Sequence, residues 1–417
     1  MDAEKQPLRI GLIGFGCVGQ GFYDILQAQS GLDLAITRIA VKNPTKPRML
    51  PAERFSYHAD ELLNDLELDL LIEVIDDPDE AFRLVSTALR QGRRVVTANK
   101  AMLARHLPEL VQLQTQFGGT LLYEAAVCGS IPVIRTLDNY FIHEPLRAVS
   151  GIFNGSSNYV LTRMSAQGFG YGPALAEAQA KGFAETDPTL DMGAFDPRSK
   201  AVILAAHAYG VFLDADEVLN LGIEGIGAGD MARAAAQGRK IKVVAAVQRL
   251  PNGHVTALVT PQLVGPDSPL YTVEHEFNGV AIEAVYAGTQ FLTGRGAGGH
   301  PTGSAVLADV LALQRGLRYG YTKQATAPEA QLTTELELNA YVSHPDASVL
   351  REVLTWLELP AEALRTDAHG AYAEGSVAVQ QLWSWRKELR TNGIFVAREG
   401  SIRAAAPVAE AVAAVWA

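Results

Sequence analysis

The stretch LRIGLIGFGCVGQGF, residues 8–22, decides the fold class. Leu8 to Ile13 is a short apolar run, and Gly14-Phe15-Gly16-Cys17-Val18-Gly19 follows it at once. Beyond Gly19 the spacing is helical, with Phe22, Ile25 and Leu26 on one face. A strand that runs through a glycine-rich turn into a helix opens a βαβ unit. There the first glycine permits a tight turn, the second lets the backbone approach a pyrophosphate, and the third lets the helix pack on the strand. The helix N-terminus then offers N–H groups and the positive end of its dipole to an anion. Gly14, Phe15, Gly16, Cys17, Val18 and Gly19 are therefore candidate dinucleotide-binding residues. A turn with only a packing role would use the same glycines.

Outward from this turn, the strand-like runs LDLAITRIAV (32–41), LDLLIEVI (68–75), RRVVTAN (93–99) and GTLLYEAAV (119–127) alternate with helix-like ones such as EAFRLVSTALRQG (80–92). That alternation predicts an α/β domain of Rossmann type with a parallel sheet, over residues 1–140. An NAD-binding version carries Asp or Glu about 20 residues beyond the glycines. Here that place reads Ala40-Val41-Lys42-Asn43-Pro44-Thr45-Lys46-Pro47-Arg48, and Asp33 lies at the wrong end of the strand. Lys42, Lys46 and Arg48 suit a 2′-phosphate, which favours NADP(H) and leaves NAD(H) open.

After about residue 140 the pattern changes. Strand-like runs at 145–153, 255–261, 270–276 and 280–287, separated by long helical stretches, predict an α+β domain over 141–299 with a sheet of its own. The helix-like SAVLADVLALQRG (304–316) lies in a segment, 300–320, expected to return to the first domain. TKQATAPEAQLTT (322–334) reads as a linker. Beyond it, 335–417 reads as a small α+β unit. ELELNAYVS (335–343) alternates with period two, placing Leu336, Leu338, Ala340 and Val342 on one face. A helix around SVLREVLTWLEL, a strand at 393–398 and all four tryptophans (356, 383, 385, 416) also lie there.

Composition excludes several function classes. The chain has 417 residues, 48% hydrophobic and 19% charged, which suits two to three packed domains and not a disordered chain. Its net charge of −11 leaves no electrostatic footprint for nucleic acid or an anionic membrane. Two cysteines, Cys17 and Cys128, exclude a disulfide framework and a Cys-rich zinc site. The N-terminus has no signal-peptide pattern, and no apolar run approaches the roughly 20 residues of a membrane span, so a cytoplasmic protein is expected.

The most informative polar segment is GFAETDPTLDMGAFDPRSK (182–200), which carries Glu185, Asp187, Asp191, Asp196 and Lys200 ahead of the apolar helix AVILAAHAYG. Asp196-Pro197 has the form of an N-cap followed by proline at the first helical position. Asp196 and Lys200, four apart, share a helix face. A capping aspartate with a surface lysine is the plain reading. Against it, a lysine in the first turn sits at the unfavourable end of the dipole, where partial burial would tune it for acid–base work. Lys100 closes VVTANK (95–100) at the C-terminal end of a predicted parallel strand, where open α/β sheets bind ligands. A solvated lysine at a helix start is the alternative there.

From about residue 8 to about 320 the chain resembles the homoserine dehydrogenase family. The resemblance rests on GLIGFGCVGQG, VVTANKAMLA, YEAAVCGSIPVI, GIFNGSSNYVLTRM, GFAETDPTLDMGAFDPRSKAVILA and GRGAGGHPTGSAVLADV, in the family's order. It implies NAD(P)-dependent interconversion of L-homoserine and L-aspartate 4-semialdehyde. It assigns proton handling to Lys200, a place beside nicotinamide and substrate to Lys100, and orientation of substrate and lysine to Asp196. Glu185, Asp191 and the Asn154-Gly155-Ser156 turn become substrate-binding residues, and Thr97 and Gly298 join the cofactor set. Glu124, with the carbonyls of Val127, Gly129 and Ile131, becomes a sodium site. Homodimers are typical, and many bacterial members end in a β-α-β-β-α-β ACT module that senses threonine. Departures are Phe183 where tyrosine is common, Asp76-Asp77 where glycines are usual, and Cys128 and Ser130 in the cation loop. The D-x-P-G turn of ACT modules is replaced by Ser343-His344-Pro345-Asp346-Ala347. Two other readings compete. A dinucleotide-sensing regulator needs only the glycine turn. An aspartate-semialdehyde dehydrogenase needs a nucleophilic cysteine in its substrate domain.

Overall fold

The computed structural model describes residues 6–326 and 330–404. Within them the chain forms two compact units, one running up to Tyr140 and adding Arg295–Tyr321, the other comprising Phe141–Gly294 and the chain from Thr322 on.

The first unit is a six-stranded sheet of β1 (Leu8–Ile13), β2 (Leu34–Ala40), β3 (Phe55–Ser56), β4 (Leu70–Glu73), β5 (Arg94–Thr97) and β6 (Thr120–Leu122), in the order β3-β2-β1-β4-β5-β6. Every pairing is parallel; Ile10, for example, faces Ile36 on one side and Leu70 on the other. Helices on both faces bury the central strands, which is why β4 is buried throughout and is apolar up to its last residue, Glu73. The order is that of a doubly wound dinucleotide fold. Helix Gly299–Gln314 returns to this unit and packs on helix Cys17–Ala28.

The second unit is built on a sheet of β7 (Leu146–Ile152), β8 (Leu219–Asn220), β9 (Lys240–Arg249), β10 (Val255–Val264), β11 (Phe277–Ala284), β12 (Thr289–Arg295), β13 (Leu336–His344), β14 (Arg365–Asp367), β15 (Gly370–Ala378) and β16 (Phe395–Ala404). Its order is β12-β11-β7-β9-β10-β16-β13-β15-β14, with β8 beside β10. β9 and β10 pair antiparallel from Val255↔Arg249 to Val264↔Lys240. β9 lies in a stretch expected to be helical. Its alanines hid the strand, and pairing on both sides decided it. The expected strand at 270–276 is instead a 3-10 turn, Pro269–Thr272, because Ser268 caps it and proline opens it.

From β13 to β16 the order of elements is β-α-β-β-α-β, with helices Ala347–Trp356 and Val379–Thr391. The period-two face appears as expected, with Leu336, Leu338, Ala340 and Val342 all buried. This module does not stand on its own sheet. β16 pairs in parallel with β10 through Gln262↔Arg398 and Leu263↔Glu399. One hydrophobic cluster also joins Leu338, Leu350, Val377 and Leu382 to Leu219, Ala246 and Leu258. The expected linker contains a short helix, Thr322–Thr326. Residues 327–329 and 405–417, including Trp416, lie outside the described residues. No helix among the described residues is long and apolar enough to cross a membrane.

Candidate active site

In the first unit the connections leave β1 and β4 on opposite sides, so the crevice at their C-terminal ends is the switch point where such sheets bind ligands. Gly14 turns there with φ 103°, and a Cβ on it would lie 2.7 Å from the Val74 carbonyl oxygen. Gly16 faces open space. Helix Cys17–Ala28 starts with no side-chain cap, which leaves its leading N–H groups to meet an anion. These features fit a dinucleotide pyrophosphate. Phe15 contributes backbone only, since its ring is buried against Tyr23 and Phe55. Gly298 caps helix Gly299–Gln314, and a Cβ on Gly299 would lie 2.6 Å from the Cys17 carbonyl oxygen, so the structure brings Gly298 beside the glycine turn. Lys42 and Lys46 are exposed on the loop after β2. Arg48 shapes that loop, donating to the carbonyls of Asn43 (2.7 Å) and Lys46 (2.9 Å) and lying over Phe55.

Thr97 is placed differently from a cofactor contact made by its side chain. It is fully buried; its hydroxyl donates to Glu73 at 2.5 Å and accepts from the Asn99 N–H at 3.0 Å. Asn99 caps helix Lys100–Phe117 by accepting from the Met102 N–H, and its amide donates to the Ile75 carbonyl at 3.2 Å. Lys100 is thus the exposed first residue of a helix anchored at the C-terminal end of β5. Burial pushes the Glu73 carboxyl up to about 7, against the pull of Thr97, Ile75 and Asn99. A charged residue inside the apolar run LDLLIEVI is the signal for this network. Asp77 caps helix Pro78–Arg90 through the N–H groups of Asp79 and Glu80 at 3.2 and 3.1 Å, which directs that carboxylate toward its own helix.

The Glu124 carboxylate is also engaged within the fold. It accepts from the N–H groups of Ile134 (2.8 Å) and Arg135 (2.9 Å), and Arg135 also reaches Asp309 at 3.2 Å. Gly129 turns at φ 53° beside Gly296, the Val127 N–H donates to the Glu124 carbonyl, and the Ile131 carbonyl accepts from the Val133 N–H. Among the described residues no group of three His, Cys, Asp or Glu side chains is arranged to hold a metal ion.

The second unit carries the polar cluster. Helix Phe195–Tyr209 starts after Ala194, so the helix begins earlier than the expected Asp196 cap, and Pro197 is tolerated because the first turn's N–H groups have no intrahelical acceptor. Asp196 is therefore inside the first turn, with its side chain directed at neighbours and not at the helix end. Lys200 lies in the second turn and is buried, which excludes a surface charge. Its Nζ donates to Asp196 Oδ2 at 2.8 Å and to the Phe153 carbonyl at 2.6 Å. The carbonyl is a main-chain contact that no sequence pattern announces. Asn154 ties the cluster together. Its amide Nδ2 donates to Asp191 Oδ1 at 2.7 Å and Asp196 Oδ2 at 2.9 Å, while Oδ1 caps helix Gly155–Gln167 by accepting from the Ser157 N–H. Burial and the adjacent Asp196 raise the Asp191 pKa; Asn154, Ser156 and Lys200 oppose the rise. The Ser156 hydroxyl donates to the Phe183 carbonyl at 2.5 Å, and a Cβ on Gly155 would lie 2.6 Å from the Glu276 carbonyl oxygen. Glu185 stands apart. It is exposed, and its main-chain carbonyl accepts from Gln179 Nε2 at 2.9 Å.

The competing reading that needs a nucleophilic cysteine finds none in the second unit. Both cysteines belong to the first, Cys17 exposed in the glycine turn and Cys128 buried.

Comparison with known proteins identifies the family. A family model described as the NAD binding domain of homoserine dehydrogenase matches residues 14–124, and one described as homoserine dehydrogenase matches residues 132–311. The homoserine dehydrogenase of Corynebacterium glutamicum is 35% identical over 377 residues, 86% of this chain and 84% of that one. Homoserine dehydrogenase from S. aureus has a similar structure, with a TM-score of 0.70 and 28% identity over 95% of this chain and 99% of that one. A hyperthermophilic archaeal homoserine dehydrogenase in complex with NADPH matches with a TM-score of 0.65 and 26% identity, over 75% of this chain and 99% of that one. With family models matched over residues 14–124 and 132–311 and a relative 35% identical over 86% of the chain, the chain belongs to the homoserine dehydrogenase family.

Proposed function

We propose that the chain interconverts L-homoserine and L-aspartate 4-semialdehyde, with NADP(H) as the preferred dinucleotide and NAD(H) as the alternative. The observation that carries this reading is the buried Lys200 amine, held by Asp196 and the Phe153 carbonyl beside two carboxylates that one amide bridges. When bound at the glycine turn, the nicotinamide cofactor supplies or accepts the hydride. The chain's own residues do the rest. Asp191, with Asp196 behind Asn154, pairs with the substrate's ammonium. Asp196 and the Phe153 carbonyl aim Lys200 Nζ, which gives a proton to the substrate oxygen during reduction and takes it back during oxidation. Glu185, exposed on the preceding loop, completes the ammonium site on substrate binding. Lys100 lines the nicotinamide end. Lys42 and Lys46 take the 2′-phosphate, on a loop that Arg48 fixes through the Asn43 and Lys46 carbonyls. Any sodium bound at the 124–131 turn relies on main-chain carbonyls, because the Glu124 carboxylate is already occupied. A homodimer in the cytoplasm and an ACT-like regulatory role for the β-α-β-β-α-β module complete the reading.

The test is absorbance of the reduced cofactor with homoserine and either NAD+ or NADP+. Lys200→Ala should lower turnover by roughly 100-fold or more while dinucleotide binding survives. Wild-type turnover in that variant would remove Lys200 from the chemistry.

A further inference from the structure

Asp191 and Asp196 are joined by one tight turn through Met192, Gly193, Ala194 and Phe195. Ala194 sits in the left-handed region at φ 62°, which a residue with a Cβ keeps only where its surroundings impose it. The surroundings here converge on the Gly193 carbonyl, which accepts from Asn220 Nδ2 at 2.7 Å and from Arg390 Nη2 at 3.3 Å. Arg390 belongs to helix Val379–Thr391 of the β-α-β-β-α-β module. Its Nε pairs with Glu224 Oε1 at 3.3 Å, and its guanidinium lies 4.7 Å from the centre of the Phe195 ring. The loop carrying Glu224 is wedged on both sides. A Cβ on Gly222 would lie 2.2 Å from the Met192 carbonyl oxygen, and one on Gly225 would lie 2.5 Å from the Gly393 carbonyl oxygen. The 221–225 loop is therefore in close backbone contact with the substrate turn on one side and with the module on the other, and Arg390 touches all three.

We propose that Arg390 is a positioning residue of the substrate site: from the C-terminal module it holds the Gly193 carbonyl and the Phe195 ring, and so fixes the spacing of Asp191 and Asp196. The proposal rests on the reading of homoserine as substrate and extends it to a residue far away in the chain. Truncating Arg390 leaves Asn220 as the remaining donor to the Gly193 carbonyl, and the strained turn relaxes. Lysine at the same position keeps the charge beside Glu224 and a donor, but not the planar guanidinium over Phe195.

Full-length wild type, Arg390→Ala and Arg390→Lys are compared in steady-state kinetics, thermal unfolding and amide hydrogen exchange. Arg390→Ala should raise KM for homoserine about tenfold, the scale of a lost charge-assisted hydrogen bond, with KM for NADP+ unchanged and the unfolding midpoint lowered by only a few degrees. Arg390→Lys should recover part of that loss. Amides of residues 191–196 should exchange faster in Arg390→Ala, while those of residues 8–19 stay at the wild-type rate. A wild-type homoserine KM in Arg390→Ala overturns the proposal, as does a parallel loss in both KM values and the midpoint. If the wild type itself fails to oxidise homoserine, the substrate reading falls, and the exchange experiment alone then decides the role of Arg390.

Discussion

At the scale of single residues, the functional side chains are held by hydrogen bonds from specific neighbours. Asn154 shows why an amide stands where it does: two donors meet two carboxylates and one acceptor caps a helix. An aspartate there would add a third negative charge and remove both donors. Glu73 is an acid buried at an apolar strand end, where it accepts from Thr97 and from the Ile75 N–H. Folded, it keeps its proton up to about pH 7; its ordinary value is 4.5. Folding therefore takes up a proton between those values, and stability from this group falls as pH rises through the window. The loss amounts to about 3 kcal/mol at full ionisation. Glu73→Gln carries no such titration. Denaturant unfolding at pH 5 and pH 8 should show the variant gaining on the wild type by up to about that amount at the higher pH. A difference that does not change with pH would mean Glu73 titrates normally.

At the scale of elements, close backbone approach matters more than propensity. Helices Cys17–Ala28 and Gly299–Gln314 cross where a Cβ on Gly21 would lie 2.2 Å from the Gly299 carbonyl group, and one on Gly303 would lie 2.5 Å from the Phe22 nitrogen. Side chains there would separate the helices, and the first of these helices opens directly from the dinucleotide turn. Gly21→Ala should cost about 1–3 kcal/mol of stability by overpacking. It should also weaken dinucleotide affinity, read by cofactor fluorescence titration, and unchanged affinity with an unchanged midpoint would show that the helices can yield. The start of helix Phe195–Tyr209 obeys the same logic. Ala194 enters it in a left-handed conformation because the preceding turn is braced from outside, so local capping preference did not set the boundary.

At the scale of the whole molecule, the C-terminal module is continuous with the second unit's sheet through β10 and β16, and shares its hydrophobic core. Binding of a small effector to the module would therefore strain the same packed body that holds the substrate carboxylates. Trp356 and Trp385 stack within the module at 5.1 Å between ring centres, and Arg386 lies over Trp383, so tryptophan emission reports on it. Titrating threonine into the full-length enzyme should change emission and homoserine turnover together. Constancy of both would reject direct threonine sensing.

The alternation of apolar runs with glycine-punctuated helices determined the first unit by itself, because strand, turn and helix each leave a local period in the chain. The same holds for the Asp196–Lys200 pair, whose spacing is one helical turn, and for the alternating face of β13. Tertiary structure alone decided that β9 is a strand, that Lys200 lies in a second turn against the Phe153 carbonyl, that Thr97 faces Glu73, and that Arg390 reaches Gly193. Those contacts join residues far apart in sequence, often through main-chain atoms identical in every residue. No local pattern of side chains encodes them, and they come into being only when the sheets bring their partners together.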